Sequence, residues 1–224
     1  MQDKSLYNMN AAGMESVLST NKVLKNTYLL LGMTLLFSAV TAGISMAIGL
    51  PHGAALILTL VGFGLLFVVN RMADTSKGLL AIFAFTGVMG ASLGPMLNYY
   101  LSMPGGPALV MQALGGTGLV FFALSAYALT TRKDFSYMGG FLMVGLLVAI
   151  VAMIANIFLN IPALSLTISA AIVMIMSGLI LFDTSRIING GETNYIRATV
   201  GLYLNIYNLF IHLLNLIAAF TGND

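Results

Sequence analysis

Residues 137–159 read YMGGFLMVGLLVAIVAMIANIFL, twenty-three positions without a charged side chain. An α-helix of about 20 such residues crosses the hydrocarbon core of a bilayer. No water is present there to satisfy the backbone, so only a helix or a closed barrel spans it. The run is preceded by Arg132-Lys133 and followed by Asn160-Ile161-Pro162, which carries no charge. That asymmetry repeats along the chain. Further apolar runs cover residues 27–49, 53–70, 79–101, 107–129, 163–188 and 199–221. Lys4, Lys22 and Lys25 precede the first run, Arg71 and Lys77 lie between the second and third, and Arg186 and Arg197 lie between the sixth and seventh. The gaps around Pro51–His52, Ser102–Gly106 and Asn160–Pro162 contain no charge. Basic residues confined to alternate connections mark the cytoplasmic side of a membrane protein. The expected fold is therefore all-α: a polytopic membrane protein with seven transmembrane helices, its N-terminus cytoplasmic and residues 222–224 a short outer C-terminus.

Composition agrees. Charged residues make up 7% of the chain and hydrophobic ones 59%, against about 25% charged in soluble domains. Seven spans consume most of the length and leave a polar N-terminal tail, residues 1–26, with short connections and no second soluble domain. The first run is too long for the core of a signal peptide and is read as a retained span. The net charge of +2 is scattered singly and in pairs along one membrane face, so it points to the lipid bilayer as the partner and not to nucleic acid. The absence of Cys excludes disulfides, thiolate catalysis and Cys-ligated clusters. The 15 Met form no pairs with His at ligand spacing and read as flexible packing. No metal site and no cofactor is expected.

Asp183 is the only acidic residue inside these spans. It lies about five residues from the end of the sixth, roughly 8 Å deep at 1.5 Å per residue. A carboxylate there is costly unless paired, hydrated or protonated, which makes it a candidate site. Arg186 and Arg71 are its candidate partners. In the seventh span Asn205, Asn208, His212 and Asn215 are spaced by three, four and three, on one helical face. Asn205 is expected level with Asp183. Such a polar stripe does not face lipid at low cost, so the last helix is expected at the centre, its stripe against the sixth. Two readings stay open: hydrogen bonds that join helices, or a hydrated path running outward from Asp183. His212 by itself reads as a packing residue, and His52 falls in an outer turn.

Gly90-Ala91-Ser92-Leu93-Gly94 matches the nucleophile elbow G-x-S-x-G, but that mechanism needs a strand-to-helix turn and none is expected. The same residues read as the packing signature GxxxG. A remote alternative is an intramembrane Ser–His protease, with Ser92 level with His212. No catalytic residue is assigned.

Several segments together carry a resemblance. They are Thr131-Arg132-Lys133-Asp134-Phe135-Ser136-Tyr137, Leu181-Phe182-Asp183 and Leu202-Tyr203-Leu204-Asn205-Ile206-Tyr207-Asn208-Leu209-Phe210. Over nearly its full length the chain resembles the Bax inhibitor-1 (transmembrane Bax inhibitor motif) family. Residues 20–28 and 190–199 look specifically like its YccA-like branch of bacterial inner-membrane proteins. The resemblance implies a seven-helix bundle with the last helix central, in a bacterial inner membrane, with the C-terminus periplasmic. It also implies two candidate activities. Members of the wider family resemble pH-sensitive calcium leak proteins in which two Asp residues share a proton and a basic residue near the second span helps hold the closed state. Asp183 matches the first Asp and Arg71 lies near the basic position, but Asn205 stands where the second Asp is expected. Transient calcium or protons would then be the ligands, with the gate at Asp183. The YccA-like branch is similar to non-enzymatic proteins that associate with FtsH, a membrane-anchored ATP-dependent protease, and restrain it. In that picture the tail, including Lys22 and Lys25, engages the protease.

Overall fold

The structure, a computed structural model, describes the backbone of residues 2–221 and the side chains of residues 20–221. The outer segment 222–224 and the side chains of the first nineteen tail residues lie outside the described residues. Helix α1 covers Gln2–Ala47, α2 His52–Met72, α3 Gly78–Ser92, α4 Gly94–Leu101, α5 Gly106–Thr131, α6 Gly139–Leu159, α7 Pro162–Ile188 and α8 Tyr195–Thr221. Seven stretches are long and apolar enough to cross a membrane, α3 and α4 together forming the third of them. There is no strand among the described residues.

The ends of the helices follow from local chemistry. Gly190, at φ +74°, closes α7: the Gly191 N–H donates to the Arg186 carbonyl at 2.8 Å and the Gly190 N–H to Ile187 at 3.3 Å. That is the paired-bond pattern by which a left-handed glycine satisfies the last carbonyls. Asn194 starts α8. Its Oδ1 accepts from the N–H groups of Ile196 and Arg197 at 2.8 and 3.1 Å, a side-chain cap that begins the helix four residues before position 199. The third span, expected as one helix over 79–101, is interrupted at Leu93. Pro95 has no N–H to offer the Ala91 carbonyl, so the ladder lapses for a turn. A single 3-10 turn, Ser136–Met138, leads into α6.

Helix α8 is the centre. Between Ile196 and Ala219 only Arg197 is exposed. It packs against α7, α5 and α1, and over shorter stretches against α3 and α2. Tyr203, Leu202, Leu209 and Leu214 are fully buried along it. By contrast α6 packs on α7 and α2 chiefly on α3. Their outer faces present Phe141, Phe158, Leu60 and Phe67, all at least 70% exposed. In water such faces would be an interaction site or a liability; on a seven-span bundle they face lipid.

Small residues set the closest approach. A Cβ added to Gly90 would lie 2.4 Å from the Ser38 carbonyl oxygen, and one on Gly94 2.1 Å from Ser45 Oγ. The two glycines of the GxxxG segment thus bring α3 and α4 onto α1, as the packing reading of that motif requires.

Candidate functional site

The charged connections meet at one end of the bundle. In the link between α2 and α3, Asp74 pairs with Arg197 of α8, and its Oδ1 accepts from Asn194 Nδ2 at 2.8 Å. The same amide donates to the Ala73 carbonyl at 2.9 Å. Ser185 of α7 reaches the link after α5: its Oγ accepts from the Phe135 N–H at 2.9 Å and donates to the Lys133 carbonyl at 3.1 Å. Asp134 is exposed there, and Ser136, through its hydroxyl first and then its backbone N–H, which donates to Oδ1 at 2.8 Å, holds that carboxyl below the usual carboxylate range. At the opposite end the links 48–51, 102–105 and 160–161 carry no charged residue.

Inward from the charged end, Asp183 meets α8. Asn205 Nδ2 donates to Asp183 Oδ2 at 2.7 Å. The pair is level, as expected, although Asn205 sits about 15 Å along α8 from Tyr195 at 1.5 Å per residue. One turn earlier, Gly201 makes room for the carboxylate: a Cβ there would stand 3.0 Å from Oδ2. Asp183 also lines a cavity of about 290 Å³ that includes Asn70, Arg186, Glu192 and Arg197. This places two carboxylates and two guanidinium groups around one polar opening.

Neither expected cationic partner forms an ion pair with Asp183 among the described residues. Arg186 pairs with Glu192 at 3.8 Å, donates to the Gly191 carbonyl at 3.3 Å, and lies 5.5 Å over the Phe182 ring. Arg71 is exposed at the end of α2. It makes no ion pair with Asp183 among the described residues, and Asn70 is the neighbour that faces the cavity. Lys22 and Lys25 are both exposed on α1.

The polar stripe of α8 faces α7 at three of its four positions. Besides Asn205, His212 Nδ1 lies 3.1 Å from Ser169 Oγ and Asn215 Nδ2 donates to the same oxygen at 2.8 Å. Asn208 turns back on its own helix and donates to the Leu204 carbonyl at 2.8 Å. Tyr100 of α4 donates to Asn215 Oδ1 at 3.4 Å.

The remote Ser92–His212 protease reading is corrected by the same geometry. Ser92 Oγ donates to the Met89 carbonyl at 2.7 Å and lies 2.9 Å from the Tyr207 hydroxyl, while His212 is turned to α7. Serine and imidazole face different helices, so no nucleophile–base pair forms. Two residues emphasised only as parts of a motif matter more. Tyr203 is fully buried, and its hydroxyl lies 2.7 Å from Ser38 Oγ, which donates to the Thr86 carbonyl at 2.6 Å. With Tyr207–Ser92 it ties α8 to α1 and α3. A tyrosine pair at i, i+4 in the middle of a span is the sequence signal that could have found it. Gly201, which lies between the quoted segments, carried no such signal.

A family model described as "Inhibitor of apoptosis-promoting Bax1" matches residues 20–222. The chain belongs to the Bax inhibitor-1 family. It is 57% identical over 210 residues, 93% of this chain and 94% of the relative, to the Modulator of FtsH protease YccA of Escherichia coli. The identity and coverage are the same for a protein of a second Escherichia coli strain named Inner membrane protein YccA. An uncharacterised protein of Pseudomonas aeruginosa is 44% identical over the full length of both chains. The chain is a multi-pass inner-membrane protein.

Proposed function

We propose that this protein is a non-enzymatic modulator of an FtsH-type membrane-anchored protease. The observation that carries the reading is the 57% identity, over nearly the whole of both chains, to a relative named for that role. In this reading residues 1–26 engage the protease, with Lys22 and Lys25 exposed on α1 just ahead of its apolar run, and the bundle docks beside it in the bilayer. The positive-inside rule places that segment, and the charged end of the bundle, in the cytoplasm and the C-terminus in the periplasm. The test is affinity purification from gently solubilised native membranes, comparing the full chain with one lacking residues 1–26. Recovery of the protease with the full chain alone supports the engagement role. Equal recovery with both chains assigns the contact to the bundle, and no protease with either overturns the reading.

A second reading is favoured by the position of Asp183 on the polar cavity: a leak pathway for calcium or protons gated by its bond to Asn205. One carboxylate with amide oxygens suits transit better than storage, because calcium takes six to eight oxygen ligands. Unchanged ion flux in proteoliposomes of Asp183→Ala, at acid and at neutral pH, would remove this reading.

A further inference from the structure

Away from the charged site, α1 and α5 both rest on α8 without packing extensively against each other. The space between them is a cleft of about 530 Å³. Its floor is buried, formed by Leu31, Ser38, Ala42 and Tyr203. Its lips are exposed, with Gly32 and Ala39 on α1 and Leu114 and Phe122 on α5. The cleft is therefore open sideways, toward the hydrocarbon of the bilayer. On α1 its lining runs from Tyr28 to Met46, about 27 Å at 1.5 Å per residue.

Size decides among occupants. A transmembrane helix about 10 Å across and of that length occupies on the order of 2,000 Å³, so it rests on the lips of the cleft and does not enter it. A single extended hydrocarbon chain, about 4 Å across at contact distance, needs on the order of 300–400 Å³. The charged end of the cleft adds a polar recognition element. The Tyr28 ring packs at 6.0 Å from that of Phe121, closing this end between α1 and α5. The Tyr28 hydroxyl is buried and has no hydrogen-bond partner among the described residues. Lys25, one turn before Tyr28 on α1, is exposed at this end, whereas Lys22 is turned about a further 60° away from the cleft. An apolar slot with an unpaired donor and an ammonium group at one end matches an acyl chain joined to an anionic headgroup.

We propose that the α1–α5 cleft is a binding site for one acyl chain of an anionic phospholipid, with the headgroup at Lys25 beside Tyr28. The bound chain completes the surface that α1 and α5 leave open over α8. Any protein that docks on this side meets the lipid as part of the surface.

The test uses the full chain in phosphatidylcholine nanodiscs doped with phosphatidylglycerol carrying a photoactivatable group in its acyl chain. Crosslinks mapped by mass spectrometry are expected on residues 31–46 and 110–122, competed by unlabelled phosphatidylglycerol and not by phosphatidylcholine. Gly32→Leu and Gly118→Leu should cut these crosslinks by at least about tenfold, because they fill space the chain's methylenes occupy. An added Cβ at either position meets nothing within 4 Å. Gly115→Leu, also in open space but off the lining, should not. Lys25→Gln should erase the preference for the anionic lipid and leave apolar labelling, whereas Lys22→Gln, turned away from the cleft, should keep it. Labelling of the wild-type chain spread evenly over α2 and α6 as well would overturn the proposal without reference to any variant. So would labelling unchanged in both filled variants, or a cleft crosslinked to a co-purified protein and not to lipid.

Discussion

Asp183 and Asn205 are each other's answer to burial. The amide of Asn205, 5% exposed, gives its hydrogen to a carboxylate, and each group loses a partner when the other is cut back. A buried polar group left unsatisfied costs about 1–3 kcal/mol, whereas hydrogen bonds between transmembrane helices often couple by less than about 1 kcal/mol because the separated helices find other partners. Asp183→Ala and Asn205→Ala should each destabilise the bundle. Their combination should cost less than the sum, giving a coupling energy of about 0.5–2 kcal/mol by denaturant titration in mixed micelles. An additive double variant would mean the 2.7 Å contact contributes nothing to the fold. The charge at 183 stood out in the sequence because acidic residues in apolar runs are rare. Gly201 did not, since which glycine abuts a carboxylate depends on how two helices are rotated about their axes. That rotation is set by every other contact the helices make.

A sequence reports the extent of its apolar helices more faithfully than their internal breaks. The seven spans were legible because hydropathy and the placement of basic residues are properties of a single strand of text. The break at Leu93 was not, although Pro95 held the clue, because a proline in a transmembrane helix is tolerated where surrounding helices re-satisfy the backbone. Gly90 shows what this element depends on. Gly90→Ala drives a methyl to 2.4 Å from the backbone oxygen of Ser38, where no flexible side chain gives way. Overpacking of this kind typically costs about 1–3 kcal/mol; the thermal midpoint in detergent should fall, while Gly64→Ala, in open space, should leave it close to wild type. Asp134 predicts a pH effect of defined sign. Its carboxyl is held low by Ser136, so its contribution to the start of α6 is present above the ordinary carboxylate range and lost as pH falls through the lowered value. Thermal scans of wild type and Asp134→Ala should differ at neutral pH and converge in acid.

At the scale of the molecule, one ionic clasp joins two links that are distant in sequence. Asp74 holds Arg197 and Asn194, so the α2–α3 connection is fastened to the start of the central helix. Exposed pairs of this sort are worth about 0–1 kcal/mol, and Asp74→Ala should barely change global stability. Hydrogen exchange is the sensitive readout: residues 73–78 and 190–196 should lose protection together, and protection retained in both links would show that the clasp is incidental. The sequence pointed to a central last helix through its polar stripe, but not to this clasp, whose members are a loop acid and two residues read as topology and motif. Centrality has a consequence in time. Synthesis proceeds from the N-terminus, so six spans enter the bilayer before the one they are built around. Until α8 arrives, Ser38, Thr86 and Asp183 await Tyr203 and Asn205, and the nascent bundle is a ring without a hub. An interrupted or slowly inserted chain is thus a recognisable half-product, unable to mature by packing what it already has.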